Sequence, residues 1–288
     1  MGHSILVLCT RKVENEMYLL WLRVAAVLYG AAGLTVFPAV LYGMERWRKS
    51  CVHLGGMALF FHFVSLVEML VQGRHWMPVG VREVESLLGF IVAGLFFLVW
   101  WLYDAISLGV FALPATFFIV FVPALGQDRY IFPSNGIRIS WLVAHIIALM
   151  LAYAALGFSL LSSTLYLIQE RRIKRKRHPG AESWLPPLDT LERVALATLE
   201  FGFPCMTIGL MIGAVLAQET PLGAAYFLDP KVIASFASWG VYVLLLYVRR
   251  AAGLRGRKAA YVSGAVLVVL MIVYAANLFS HVHRFGVE

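Results

Sequence analysis

Apolar residues run along this chain in stretches of about twenty, each closed by a short segment rich in arginine, glycine or proline. About twenty helical residues cross the hydrocarbon core of a bilayer. The runs at 18–43, 52–72, 86–103, 105–125, 139–168, 192–217, 232–249 and 259–281 therefore predict an all-α polytopic membrane protein with about eight transmembrane helices. Pro38, Pro114, Pro123 and Pro204 fall inside or near the ends of these runs, where a helix bundle tolerates kinks. In residues 1–16 the apolar stretch from Ile5 to Cys9 is too short for a signal peptide, and charged residues follow it. That segment reads as an N-terminal tail, either disordered or lying upstream of a start at Met17. No Gly/Ser- or Pro-rich linker divides the remainder, so residues 17–288 are expected to form a single transmembrane domain.

Composition agrees with the pattern. Of the 288 residues 61% are hydrophobic and 14% are charged, against roughly a quarter charged in soluble domains. A soluble protein of this length has no way to hide so much apolar surface, which excludes a soluble enzyme, a disulfide scaffold and a disordered chain. The net charge of +8 sits largely in alternate short loops. Loops 44–51, 169–191 and 249–258 hold 14 basic residues, while the tails and the loops around 73–85, 126–138 and 218–231 hold 8. Basic loops stay in the cytoplasm, so both termini are expected on the extracytoplasmic side of a cell (inner or plasma) membrane. The same distribution accounts for the charge without nucleic acid as a partner.

Ionisable residues inside apolar runs are the first functional candidates, because burying them in hydrocarbon is costly. They are His62, Glu68, Asp104, His145 and Glu200. No H-E-x-x-H, P-loop or G-x-S-x-G string occurs, and no carboxylate pair has an acid–base spacing. Cys9, Cys51 and Cys205 form neither C-x-x-C nor C-x-x-C-H. His145 lies six residues into a span that enters from outside, roughly 9 Å deep. His281 and His283 close the last span at the same face, and the loop 218–231 adds Tyr226 and Phe227 there. Two imidazoles opposed across an aromatic cleft suit six-coordinate haem iron; the alternative is that each histidine is an interfacial group satisfied by water. His62, near mid-membrane, reads as a core histidine hydrogen-bonded to a neighbouring helix.

Several strings resemble the cytochrome c assembly proteins of the CcsA, ResC and HemX type. The run from Phe203 through Cys205, Thr207, Gly209 and Gly213 to Ala214 is similar to the helix before that family's tryptophan-rich loop. Asp229-Pro230-Lys231 matches the DPK of the loop, and Trp239 and Tyr242 match the start of the next helix. Gly253-Leu254-Arg255-Gly256-Arg257-Lys258-Ala259-Ala260-Tyr261 resembles the family's G-W-R-G-R-R-A-A-Y turn, and Asn277 with His283-Arg284-Phe285-Gly286 resembles its ending. Trp141, His145 and Tyr153 resemble its W-x-x-x-H…Y helix, and Pro78 with Glu85-Ser86-Leu87 its P…E-S-L segment. The likeness runs from about 52 to 286. The chain departs from it where Tyr226, Phe227 and Leu228 precede Asp229, where Ala234 replaces a tryptophan, and where Tyr247 stands at a position that is often histidine. These departures point to the smaller, HemX-like branch.

The resemblance implies an assembly factor for haem handling and not a stand-alone enzyme. It implies a b-type, non-covalently held haem ligated by His145 and His283 at the extracytoplasmic face. Trp141, Tyr226 and Phe227 would pack on the porphyrin, with Asp229 and Trp239 in the same segment. Lys231, Arg138 or Arg284 would pair with the propionates. The implied partners are haem, a separate cytochrome c assembly protein or apocytochrome c, and membrane lipid. The alternative function is a HemX-like regulatory or scaffold protein of tetrapyrrole biosynthesis, acting through the basic loop 171–177, for instance on a glutamyl-tRNA reductase. A small-solute transporter is a weaker third reading, since no pair of broken helices marks inverted halves.

Overall fold

The computed structural model describes residues 2–73, 81–126, 136–174, 185–217 and 228–279. Every regular element among them is helical: α1 (Gly2–Leu41), α2 (Glu45–Gly73), α3 (Val81–Tyr103), α4 (Gly109–Ala124), α5 (Gly136–Lys174), α6 (Leu188–Ala217), α7 (Pro230–Leu246), α8 (Gly256–Val262) and α9 (Ala265–Phe279). Seven of the helical segments among the described residues are long and apolar enough to cross a membrane. They match the first seven predicted spans, and they make the chain a multi-pass membrane protein. Helix α1 continues without a break through the segment read as a tail.

The eighth predicted span is built differently. A turn at Ser263-Gly264, closed by Gly264 N–H on the Tyr261 carbonyl and Val266 N–H on the Ser263 carbonyl, separates α8 from α9. The apolar run 259–281 hides this break because glycine and serine are common inside membrane helices.

The helices form two compact units, Met1–Trp100 with Gly109–Pro133 and Trp101–Leu108 with Ser134–Glu288. In the first unit α1 is central and packs against α2 and α4. Its inward face is small, with Ala25, Ala26 and Ala32 buried beside Tyr29. Small residues let backbones approach closely where lipid offers no hydrophobic drive for helix association. At Gly89 on α3 a Cβ would fall 2.5 Å from a methyl of Val120, so only glycine fits between α3 and α4 there. Buried in this unit is His62 of α2, with no exposed surface. Its Nδ1 is 3.4 Å from the Tyr29 hydroxyl of α1 and its Nε2 is 3.0 Å from the Ser86 hydroxyl of α3. The edge of Phe90 completes the cage. This is the helix-bridging core histidine expected from its depth.

The second unit centres on the α5–α6 pair, with α7 against α6, α9 against α7 and α8 against α5. Ala152, Leu156, Leu199, Met206, Tyr242, Leu245 and Val266 form its core. Tyr242 of α7 donates its phenolic hydrogen to the Ala152 carbonyl of α5, in space left by Gly202 of α6. Ser159 of α5 donates to the Ala195 carbonyl of α6 at 2.9 Å. After α7 the chain makes one π-helical turn, Tyr247–Ala251, with Ala252 N–H on the Tyr247 carbonyl. That extra residue per turn directs Arg249 inward, where its terminal nitrogen donates to Ser163 and Ser263 at 2.9 Å each.

Candidate haem-ligating site in the second unit

His145 lies on α5 one helical turn after Trp141, at the interface with α6. Its Nδ1 is 2.7 Å from the carbonyl oxygen of Gly209. A carbonyl oxygen only accepts, so Nδ1 carries the proton and donates it, and Nε2 is left as the unprotonated nitrogen with its lone pair. Among the described residues the His145 ring hydrogen-bonds through Nδ1 alone. A neutral imidazole anchored through one N–H to a carbonyl, with the other nitrogen open, is the arrangement found at metal-ligating histidines. The donor set on this side therefore suits haem iron.

Two glycines on α6 make the arrangement possible. A Cβ at Gly213 would sit 2.6 Å from His145 Cε1 and 3.0 Å from Nδ1, and one at Gly209 would sit 2.7 Å from a methyl of Leu149. The imidazole thus presents its Cε1 edge to bare backbone. Neither glycine was singled out for function in the sequence. The available signal was their spacing, G-x-x-x-G within an apolar helix, which marks close helix approach.

The remaining predicted site residues fall into three groups. Asp229 and Lys231 begin α7: Asp229 is its N-cap, its carboxylate accepting from the Lys231 backbone N–H at 2.8 Å, with Pro230 in the first turn. Asp before Pro is a favoured helix start. The Lys231 ammonium is close enough to the His145 imidazole to act on it electrostatically. Trp239 is half-buried between α7 and α6. Its indole N–H donates to the Thr207 hydroxyl at 3.1 Å and its ring lies 6.1 Å from that of Phe203. Trp141 is 55% exposed on α5. His283, Tyr226 and Phe227 lie outside the described residues, as do Arg284 and His281.

The other ionisable candidates have local partners. Glu200 pairs with Arg250, and one Glu68 oxygen accepts from Gln72 at 2.9 Å. Asp104 sits between α3 and a short 3₁₀ turn at Ile106–Leu108 with φ of 51°, a left-handed conformation that Asp tolerates better than most residues. Among the described residues no three His, Cys, Asp or Glu side chains gather as a bare metal ion would require.

Residues 51–283 match the family model described as Cytochrome C assembly protein. The chain is 28% identical over 244 residues to the cytochrome c biogenesis protein CcsA of Guillardia theta, covering 75% of this chain and 81% of that one. It is 30% identical over 172 residues to the CcsA of Prochlorococcus marinus strain AS9601, covering 52% of this chain and 55% of that one. It is 32% identical over 133 residues to the protein HemX of Bacillus subtilis, covering 46% and 48%. The chain thus spans about half the length of the Prochlorococcus and Bacillus relatives. No solved structure matches. The family match starts within α2 and runs past the end of α9, through both units and across His145 and its α6 cradle, and the chain belongs to the cytochrome c assembly protein family.

Proposed function

We propose that this protein is an assembly factor of c-type cytochrome biogenesis that holds a non-covalent haem at the extracytoplasmic face, between His145 and His283, and presents it to a partner. The observation that carries the reading is the His145 imidazole anchored at Nδ1, with Nε2 open among the described residues. Haem, when bound, supplies the iron and the vinyl groups on which cytochrome attachment depends. The chain's own residues orient a ligand, exclude water by apolar packing and neutralise carboxylates. Lys231 suits the last role, being half-buried at the head of α7 within electrostatic range of His145. A separate assembly protein or apocytochrome c is the recipient, and the bilayer is the third partner.

The bias of basic residues, 14 against 8, favours an extracytoplasmic position for this end of α5 and for both termini. A reporter that is active only in the cytoplasm, fused after Glu288, is expected to be silent. The decisive experiment is a haem difference spectrum of the purified protein reconstituted with haemin. A low-spin Soret and α-band pattern that is lost in both His145→Ala and His283→Ala supports the site. Absence of haem from the wild type under excess haemin removes it. In that event the match to HemX favours the second reading, a regulatory membrane protein of tetrapyrrole biosynthesis working through the basic loop 171–177.

A further inference from the structure

We infer that Gly209 and Gly213 are positioning residues that select the tautomer of His145, so that Nε2 and not Nδ1 is the nitrogen offered to a metal. The inference rests on the reading of His145 as a haem ligand, and it concerns this chain's own hydrogen bonding before any haem arrives.

In a helix each carbonyl already accepts one N–H from the next turn, yet it keeps a second lone pair. Side chains normally screen that lone pair from neighbouring helices. At Gly209 and Gly213 there are none, and α5 atoms lie closer than a side chain would allow: a Cβ would fall 2.7 Å from Leu149 at Gly209 and 2.6 Å from His145 at Gly213. The Gly209 carbonyl is thereby reachable by a side chain of α5, and His145 Nδ1 reaches it at 2.7 Å.

An isolated neutral imidazole carries its proton on either nitrogen with little preference. A fixed acceptor at 2.7 Å removes the choice, because the Nε2–H tautomer would set the Nδ1 lone pair against the carbonyl lone pair. That contact costs a hydrogen bond and adds repulsion. Gly213 contributes the second constraint. With a Cβ only 2.6 Å from Cε1 the ring would have to swing away from α6, which breaks the Nδ1 contact and turns Nε2 from its present direction. One glycine holds the proton through its backbone, and the other leaves room for the ring to stay where that backbone is in reach. Outer partners of this kind typically change metal affinity about 10–100-fold when removed.

The test uses the full-length protein in detergent micelles with ¹⁵N-labelled histidine, before haem is added. At about pH 8, where a histidine is mostly neutral, the His145 signals are assigned by difference from His145→Ala. The expected result is a protonated Nδ1 and an unprotonated Nε2 in the wild type. Gly213→Ala is expected to abolish that single-tautomer pattern and to weaken haemin binding about 10–100-fold. Gly202→Ala, which crowds the same helix pair eleven residues away against Ala155 and Tyr242, is expected to leave the tautomer and haemin affinity unchanged. A wild-type His145 protonated on Nε2 overturns the inference by itself, even if Gly213→Ala does not fold. So does a folded Gly213→Ala with the wild-type tautomer and affinity. If the wild type shows the Nδ1–H tautomer and Gly213→Ala loses it, but neither protein takes up haemin, the positioning stands and the haem reading falls. If haemin binds through His145 while the apo tautomer is Nε2–H, the haem reading stands and the positioning falls.

Discussion

His62 and His145 are both histidines on membrane-spanning helices, one in each compact unit, and they are solved in opposite ways. His62 has no exposed surface, and each of its ring nitrogens faces a hydroxyl, Tyr29 on one side and Ser86 on the other. Its lone pair is spent in joining α1, α2 and α3. Among the described residues His145 is anchored at Nδ1 only, with Nε2 left open. Burial and family of residue are therefore poor guides to ligation inside a bundle. The useful question is how many of the two ring nitrogens the fold has already used.

The largest effect that can break this contrast is spectral. His145→Ala is expected to abolish the low-spin Soret and α bands of the haemin-reconstituted protein, and added imidazole to restore part of them. His62→Ala is expected to keep both bands. A reversed pattern, with the spectrum lost in His62→Ala and intact in His145→Ala, would mean that the two histidines have been given each other's roles.

The next effect is on stability, and there the order inverts. Removing the His62 ring leaves a cavity in the first unit and strands two hydroxyls in an apolar setting, a loss of about 2–4 kcal/mol. Truncating His145 removes one hydrogen bond to a carbonyl that keeps its helical partner, a loss of about 1 kcal/mol. Thermal unfolding in detergent, followed by circular dichroism, ranks the two. Equal losses would show that the hydroxyl cage around His62 contributes little.

Much of this arrangement was legible in the chain, and the gaps have physical causes. Seven spans and the depth of His62 follow from apolar run length alone. The break at Ser263-Gly264 does not, since two small residues barely lower the local hydropathy. The division into two units is also silent in the sequence. The segment Trp101–Leu108, which groups with the second unit although it falls between two stretches of the first, is mostly apolar and contains buried Ala105 and Leu108. The W-x-x-x-H string marks His145 as a candidate, but its partner Gly209 is 64 positions away, and a backbone carbonyl leaves no mark on composition. The predicted partner ligand His283 and the aromatic pair Tyr226 and Phe227 lie outside the described residues.

A smaller effect sharpens the distinction between packing and site within the second unit. A Cβ at Gly202 would meet the Tyr242 hydroxyl and come to 2.9 Å from the Ala155 Cβ. Gly202→Ala is expected to cost about 1–3 kcal/mol by overpacking, with the haem spectrum unchanged. A spectral shift in this variant would mean that the α5–α6 spacing reaches His145 from three turns away, and that the site is less local than its contacts indicate.

The smallest expected effect decides the role of Asp229. The sequence offers its carboxylate as part of the cofactor site, and in the structure one of its oxygens accepts the Lys231 backbone N–H at the start of α7. The side chain is buried, with 7% of its surface exposed. A cap is replaceable by any short side chain with an acceptor, but a charge facing a cofactor is not. Asp229→Ala is expected to lose about 1 kcal/mol of stability. Asp229→Ser is expected to regain most of it, since serine caps about as well as aspartate. Haemin affinity is expected to hold in both, because the His145 imidazole is fixed by α6 and not by the head of α7. Two measurements on each variant, thermal midpoint and haemin titration, separate the alternatives. A titration that weakens equally in Asp229→Ala and Asp229→Ser, with the midpoint restored only by serine, would place the carboxylate's charge in the haem site after all. It would also extend the site from the α5–α6 cradle to the first turn of α7, where Lys231 already lies within electrostatic reach of His145.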